Sequence, residues 1–599
     1  MLIDLYNIIR IEESLMRVPN QLFGLMLGSV LSQVVFADDW ATYGNGLGNQ
    51  RFSSLKEVNR ANVDKLQLAW KFDSGIKASF QTSPIKVGDR LYISTPFNHV
   101  IALDAGTGEQ VWRYEHPKPK KKSCCGPANR GVAVAKGKVF QATIDGQLIA
   151  LDQTTGELVW QNKVEDIQLS VQESVDGLLQ GMDLGGDAKI TGGTSHSFNM
   201  APQVYKDMVI VGSTGAGYGL HLDTEKGLRV VGIGDGRTGL RGFLSAFDMN
   251  TGKELWRWYS VDGEHWVGDW QETTASGLTL NRDIATEKAA SQRFQHSWKL
   301  GGGSIWTTPA IDDETGWLFA GTGNPAPNMD SSTRPGDNLN TSSIVAIDSK
   351  NGELKWAFQQ VPHDRWGYDV SSPPVLFDTV VAGKTVKAVG QAGKTGWFYV
   401  LNRETGELLF KSDPFVPQVN LFADPTEEGV TIAPGIAGGS NWSPVSVNPD
   451  KQQVYIAGIH MPATYYRKPL KLNSELPWQT YSYFEFDEKQ RYGTLTAIDL
   501  KSGQVSWQNK TRLPLLGGTL ATAGDLVFSG EGDGEFFAVD TTTGEKLWSY
   551  KQSYGVNAPP VSYSHNGRQY IAVAAGGNKI AGYPTGDSLL VFSLPRATK

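Results

Sequence analysis

Apolar and polar residues alternate along the chain in short runs, the period-two pattern of half-buried β-strands. One run recurs with a fixed ending: Asp closes the strand, Gly follows four residues on, and Trp eight residues on. It reads IALDAGTGEQVW (Asp104, Gly108, Trp112), IALDQTTGELVW (Asp152, Gly156, Trp160), SAFDMNTGKELW (Asp248, Gly252, Trp256) and VAIDSKNGELKW (Asp348, Gly352, Trp356). YVLNRETGELLF (Asn402, Gly406, Phe410) is a degenerate copy; TAIDLKSGQVSW (Asp499, Gly503, Trp507) and FAVDTTTGEKLW (Asp540, Gly544, Trp548) complete seven. The Asp-x-x-x-Gly step predicts a tight turn with Gly at positive φ, and the returning strand carries an indole suited to wedging between neighbouring sheets. A unit that cannot bury both of its faces must stack on its neighbours. The long gaps between copies leave room for units whose motif has decayed. The expected fold is all-β, an eight-bladed β-propeller with tryptophan-docking motifs running from Asp38 to the end. A linear solenoid fits less well, because the repeats are long and carry large insertions.

Composition narrows the function. With 68 Gly, 28 Pro and only 20% charged residues in 599, the chain is turn-rich and is no helical bundle. A net charge of −7 gives nucleic acid no basic footprint. Two cysteines exclude a disulfide scaffold and a Cys-rich zinc fold, and without Cys-x-x-Cys-His no c-type haem is attached. At the N-terminus, Met16-Arg17 and the apolar stretch Leu22 to Phe36 lead to Val35-Phe36-Ala37 before Asp38-Asp39. Residues 1–37 thus read as an upstream extension plus a signal peptide cleaved near Ala37-Asp38, and 38–599 as one propeller domain. An uncleaved anchor is the alternative, but the stretch is short for a span and is interrupted by Gln33. The expectation is a periplasmic mature chain with no stable membrane span.

The repeat, together with SCCGPANRG, GGGSIW, GTGNPAP, QAGKTGWFYVLNR and GGSNWSP, resembles the quinoprotein alcohol dehydrogenases over essentially the whole mature chain. These bind pyrroloquinoline quinone at the centre of an eight-bladed propeller. The resemblance implies a vicinal disulfide between Cys124 and Cys125 lying against the quinone; two unrelated buried thiols are the other reading of that pair. It further implies that Arg130 holds a cofactor carboxylate, that Trp306 lies under the ring and that Ser304 hydrogen-bonds it. Lys394 falls where the family has a cation at the quinone oxygens. Gln81, Asn199, Asn441, Trp442 and Asn557 are the remaining expected cofactor contacts. Asn324 matches the family's amide ligand to calcium or a lanthanide.

Two departures bear on the chemistry. The family's catalytic base is the second acid of a Pro-His-Asp-x-Trp-Asp-Tyr segment, and here PHDRWGYD puts Gly367 there. Asp369, two residues on, corresponds to the extra carboxylate of lanthanide-using members and is the expected catalytic base and metal ligand; strand alternation would place it on the same face. The family's glutamate ligand has no match either: Gly217 stands there in one register, and Arg237 with Asp235 close by in the other. Leu516 replaces a usual Trp. The basic run Lys118 to Lys122 is a solvated loop or a dock for an acidic electron acceptor. The aromatic stretch Met461 to Tyr492 is a lid over the mouth or an outer-blade insertion.

Two functions follow. One is a dehydrogenase that moves hydride from an alcohol or sugar-type substrate to the quinone, with electrons leaving to an external acceptor such as a cytochrome c. The other is a non-catalytic propeller that binds the quinone or a protein.

Overall fold

In a computed structural model, described over residues 39–118, 126–164, 189–190, 197–215, 220–224, 227–231, 240–469 and 480–596, eight blades of four antiparallel strands succeed one another, one of them widened by Phe52–Ser53 lying parallel to Leu520–Thr522. Their first strands are Ile85–Val87, Ala133–Ala135, Gln203–Tyr205, Ala310–Asp312, Val375–Val381, Ser446–Asn448, Leu520–Thr522 and Val561–His565. Seven sheets are built from consecutive chain. The eighth takes its outermost strand, Gln67–Ala78, from the N-terminal side, paired antiparallel with Gly586–Ser593, so the two ends of the propeller close on each other.

The repeated motif does what its residues demand. Gly156, Gly252 and Gly352 have φ of 76°, 70° and 76°, and Oδ1 of the motif Asp accepts turn N–H groups, as Asp248 does from Asn250 and Thr251. Each Trp then reaches the next sheet. Trp112 Nε1 donates to the Gln153 carbonyl at 3.1 Å, Trp160 to Met249 at 3.2 Å, Trp256 to Ser349 at 2.8 Å and Trp356 to Arg403 at 3.1 Å. The ring lies flat over the next motif's glycine, so closely that a Cβ on Gly252 would meet Trp160 Cε3 at 2.6 Å. Glycine is needed there twice over, for its φ and for its missing side chain. Two members of the belt lie outside the repeat: Trp70, on the closing strand, covers Gly108, and Leu66 offers the carbonyl to which the repeat's Trp548 donates at 2.9 Å.

The segment from Trp40 to Ser53 occupies the axis. It hydrogen-bonds to Lys86, Ile311, Leu376, Val447, Ala521 and Ser562, all on first strands of six different blades. One short segment can touch six blades only where their first strands converge. Antiparallel order puts the Asp-x-x-x-Gly turns at one end of the sheets and the connections into the first strands at the other. The expected site residues lie at the second end.

The insertions gather there too. A three-stranded sheet of Val430–Ile432, Ala463–Pro469 and Thr480–Phe486 joins Leu280, Met329, Trp366, Tyr368 and Phe422 in a separate apolar cluster. Tyr465 Oη donates to the Trp366 carbonyl at 3.1 Å and Thr480 Oγ1 to Asp330 Oδ2 at 2.9 Å. Of the two readings of the aromatic stretch, the lid is the one with these contacts. Among the described residues no helix is long and apolar enough to cross a membrane.

Candidate active site

Four residues before the first strand of each blade stand Gln81, Asn129, Asn199, Trp306, Ser371, Trp442, Leu516 and Asn557. Five of the eight were expected cofactor contacts; Arg130 follows Asn129 and Asn441 precedes Trp442. One position per blade, repeated around an axis, makes a ring of side chains at the mouth.

Arg130 shows that this ring is tight. Its guanidinium carbon lies 5.2 Å from the Trp306 ring and 5.3 Å from the Trp442 ring, and Nη1 donates to the Trp306 carbonyl at 3.3 Å. Three blades thus bring a cation and two indoles together. Asn199 ties the loops beneath: its Nδ2 donates to the Ala128 carbonyl at 2.7 Å and its own carbonyl accepts from Arg130 N–H at 3.0 Å.

A second cluster lies beside Trp306. Ser304, buried, is joined to the Asn324 loop by Gly323 N–H donating to its carbonyl at 2.8 Å. Asn324 N–H donates to Asp369 Oδ1 at 2.7 Å, and Lys394 Nζ stands 3.4 Å from Asp369 Oδ2 while donating to the Gly367 carbonyl at 2.9 Å. Asp369 and Lys394 are both buried. Asn324, Asp369 and Lys394 are therefore one hydrogen-bonded unit.

Strand alternation does not hold at Gly367. Residues 361–370 form no strand, and Gly367 has φ 77°. Asp364 builds the turn, its Oδ1 accepting from Trp366 N–H at 2.9 Å and Gly367 N–H at 3.0 Å and its Oδ2 from Ser342 Oγ at 2.8 Å. Burial, with Asp369 adding to it, holds the Asp364 carboxyl above its usual range. His363 donates from Nδ1 to the Gly336 carbonyl at 2.7 Å; burial and the guanidiniums of Arg334, Arg282 and Arg365 push its pKa well down. Both residues support the turn. The space of the missing side chain is filled, for a Cβ on Gly367 would meet Ile436 Cδ1 at 2.6 Å. Nothing in the sequence pointed to Ile436.

Several buried amide and indole atoms at the mouth lack a partner: Gln81 Oε1, Asn441 Oδ1, Trp442 Nε1 and both amide atoms of the fully buried Asn557. Buried polar groups are rarely left so. A flat, polar, anionic ligand fits this donor and acceptor set, with Arg130 and Lys394 for its charge and Trp306 and Trp442 for its faces. A hard cation fits less well. Asn324 and Asp369 are adjacent, yet Asn324 Nδ2 donates to the Pro325 carbonyl at 2.8 Å and Asp369 faces an ammonium. Among the described residues no three His, Cys, Asp or Glu side chains are grouped to hold a metal, which calls for six to eight oxygens if calcium. Cys124, Cys125, Gly217, Asp235 and Arg237 lie outside the described residues, as does the leader.

Fold and mouth together define a propeller with an axial site for a flat anionic cofactor. Residues 40–420 and 415–571 match the family described as glucose/ethanol/alcohol dehydrogenase, beta-propeller domain, under the name PQQ, and the chain belongs to it. It is 33% identical over 574 residues to a quinohemoprotein alcohol dehydrogenase of Comamonas testosteroni, across 91% of this chain and 73% of that one. It is 32% identical to a quinoprotein ethanol dehydrogenase of Pseudomonas aeruginosa, across 90% and 86% of the two chains. Among solved structures, the Comamonas testosteroni enzyme superposes with a TM-score of 0.74 at 30% identity, over 94% of this chain and 81% of that one. A europium-containing methanol dehydrogenase gives 0.74 at 27% identity, over 94% and 99%.

Proposed function

We propose that this chain is an exported quinoprotein dehydrogenase that binds pyrroloquinoline quinone at the axial mouth, oxidises an alcohol there and passes the electrons to a separate acceptor, such as a cytochrome c. The observation that carries the reading is Arg130 set against Trp306 and Trp442 in a ring whose Gln81 and Asn557 amides await a ligand. Bound there, the quinone would supply the hydride acceptor. The protein does the rest. Trp306 gives the ring a face, Arg130 meets a carboxylate, and Lys394 Nζ places positive charge where electron density accumulates. Asp369 Oδ2 is the group to take the substrate's hydroxyl proton, since Oδ1 is held by Asn324 N–H. The Tyr465 hairpin keeps bulk water from that proton transfer. Export, a vicinal disulfide at Cys124-Cys125 and the choice of alcohol over sugar are parts of the same reading.

The test is reconstitution of the apo-protein with pyrroloquinoline quinone, with and without calcium or a lanthanide, followed by dye reduction over a panel of alcohols and sugars. Alcohol-dependent turnover is the expected result. One observation favours a binding propeller instead: the base position is glycine and Ile436 fills its space. Tight quinone binding with no turnover under any metal would select that second reading. Mass spectrometry of the non-reduced exported protein, showing a start near Asp38 and no free thiol, checks the leader and the cysteine pair.

A further inference from the structure

Arg51 is fully buried on the axial segment, and every partner it has is neutral. Nη1 donates to the Tyr43 carbonyl and, at 3.3 Å, to Ser83 Oγ; Nε donates to the Thr519 carbonyl at 3.3 Å and Nη2 to the Pro560 carbonyl at 2.7 Å. Its guanidinium carbon also lies 5.3 Å from the Trp40 ring and 5.3 Å from the Tyr43 ring. Three other arginines with buried side chains are ion-paired: Arg282 with Glu287 and Asp337, Arg365 with Asp424 and Arg403 with Asp312. Arg334 donates, like Arg51, only to neutral oxygens, but the Asp364 and Asp330 carboxylates lie near enough to act on its charge. A buried charge without a counter-charge is expensive, and such a group is kept where something else supplies the opposite sign.

The location says what supplies it. Ser83, Thr519 and Pro560 each lie two or three residues beyond a ring position, namely Gln81, Leu516 and Asn557. Ser83 N–H in turn donates to the Arg130 carbonyl at 2.9 Å. Arg51 therefore sits one layer beneath the ring, on the axis, with Tyr43 feeling the charge of both Arg51 and Arg130. We propose that Arg51 is a third cation of the cofactor site, after Arg130 and Lys394, a positioning residue that acts through the ring to hold the anionic quinone and to raise its reduction potential. Burial lowers the guanidinium only to about 10, so it stays charged at neutral pH. Low-dielectric surroundings let that charge act at a layer's distance.

The inference rests on quinone binding at the mouth, and the experiment separates the two. The apo-protein is titrated with pyrroloquinoline quinone by tryptophan fluorescence, and the midpoint potential of the bound cofactor is measured, for wild type, Arg51→Gln and Arg51→Lys. Arg51→Gln should weaken binding about tenfold or more. If the reduced form loses a further tenfold, the two-electron potential falls by about 30 mV. Arg51→Lys should keep the potential, because it keeps the charge while losing the fork of hydrogen bonds. A purely structural role predicts the reverse, with Lys no better than Gln in either readout. Should Arg51→Gln not fold, Ser83→Asp neutralises Arg51 in place and Ser83→Asn is its isosteric control; Asp must then bind the quinone more weakly than Asn. Equal binding by that pair, or by wild type and a folded Arg51→Gln, overturns the role of Arg51 alone. A wild type that binds no quinone overturns the functional reading and this one with it.

Discussion

The docking belt and the axial mouth are opposite ends of the same eight sheets, and they are held by different means. In the belt the six tryptophans of the repeat each donate to a carbonyl of the next sheet. Trp256 has the Ser349 carbonyl and covers Gly352, Trp356 has the Arg403 carbonyl and covers Gly406, and only the closing Trp70 keeps its indole N–H unpaired. At the mouth Asn557 is fully buried with both amide atoms waiting, and Arg51 is a charge without a counter-charge. The belt is complete in the protein itself, and the mouth is complete only with a ligand. Changes in the belt should therefore be read in stability, and changes at the mouth in binding and turnover.

The largest effect belongs to the mouth. Asp369→Asn keeps an oxygen to accept Asn324 N–H and removes the proton acceptor, so turnover of the reconstituted enzyme should fall by about a thousandfold or more. Melting temperature and quinone affinity should stay near wild type. A variant with substantial turnover would move the base elsewhere.

The next effect belongs to the belt. Gly252→Ala forces φ 70° on an L-residue and drives a methyl into the Trp160 ring, a loss of about 3 kcal/mol. Gly137 has φ 74° with nothing within 4 Å of a Cβ, so Gly137→Ala isolates the backbone part, about 1 kcal/mol. Chemical denaturation of the two variants gives the worth of the docking contact as their difference. Equal losses would mean that the indole contributes nothing.

How far each end could be read from sequence follows from the same contrast. The belt was legible because Asp, Gly and Trp act within twelve residues, and the geometry is the same wherever the spacing recurs. Its last members were hidden because Trp70 and Leu66 close the ring from outside the repeat. Five of the eight ring positions were named through the family's motifs, Ser371 was not, and the ring's arrangement follows from one offset before each first strand. What failed was conformation. Alternation was carried into PHDRWGYD, where Asp364 makes a turn and not a strand. Contacts such as Gly367 with Ile436 join segments far apart in the chain and leave no local pattern. Arg51 lay in WATYGNGLGNQRFS, which has neither alternation nor a helical period, so nothing marked it as axial.

That failure changes what restoring the family pattern would do. Gly367→Asp must accept φ 77° and displace Ile436 Cδ1, which costs about 2 kcal/mol of stability and gives no gain in turnover by itself. Pairing it with Ile436→Ala opens the space, and the double variant should recover part of the stability and exceed wild-type activity. Thermal melts and dye-reduction rates of the single and double variants decide the point. An active single variant would show that Ile436 moves freely.

The smallest effect separates the two ends by pH. His363 is buried beside Arg334, Arg282 and Arg365, with Glu287 3.4 Å from Nδ1, and its folded pKa lies well below 6.5. The unfolded chain takes up a proton near 6.5 and the folded chain does not, so stability is full above that pH and declines as pH falls through it. The slope is about 1.4 kcal/mol per pH unit for one proton. Asparagine tolerates the φ of 54° at this position, and its Nδ2 can donate to the Gly336 carbonyl as Nδ1 does. His363→Asn should therefore match wild type near pH 8 and become the more stable of the two by about 1.4 kcal/mol between pH 6.5 and 5.5. The contact of Gly252 is with Trp160 alone, without a histidine, and Gly252→Ala should run parallel to wild type over the same range. Parallel curves for His363→Asn as well would mean that this imidazole is protonated in the fold, held so by Glu287.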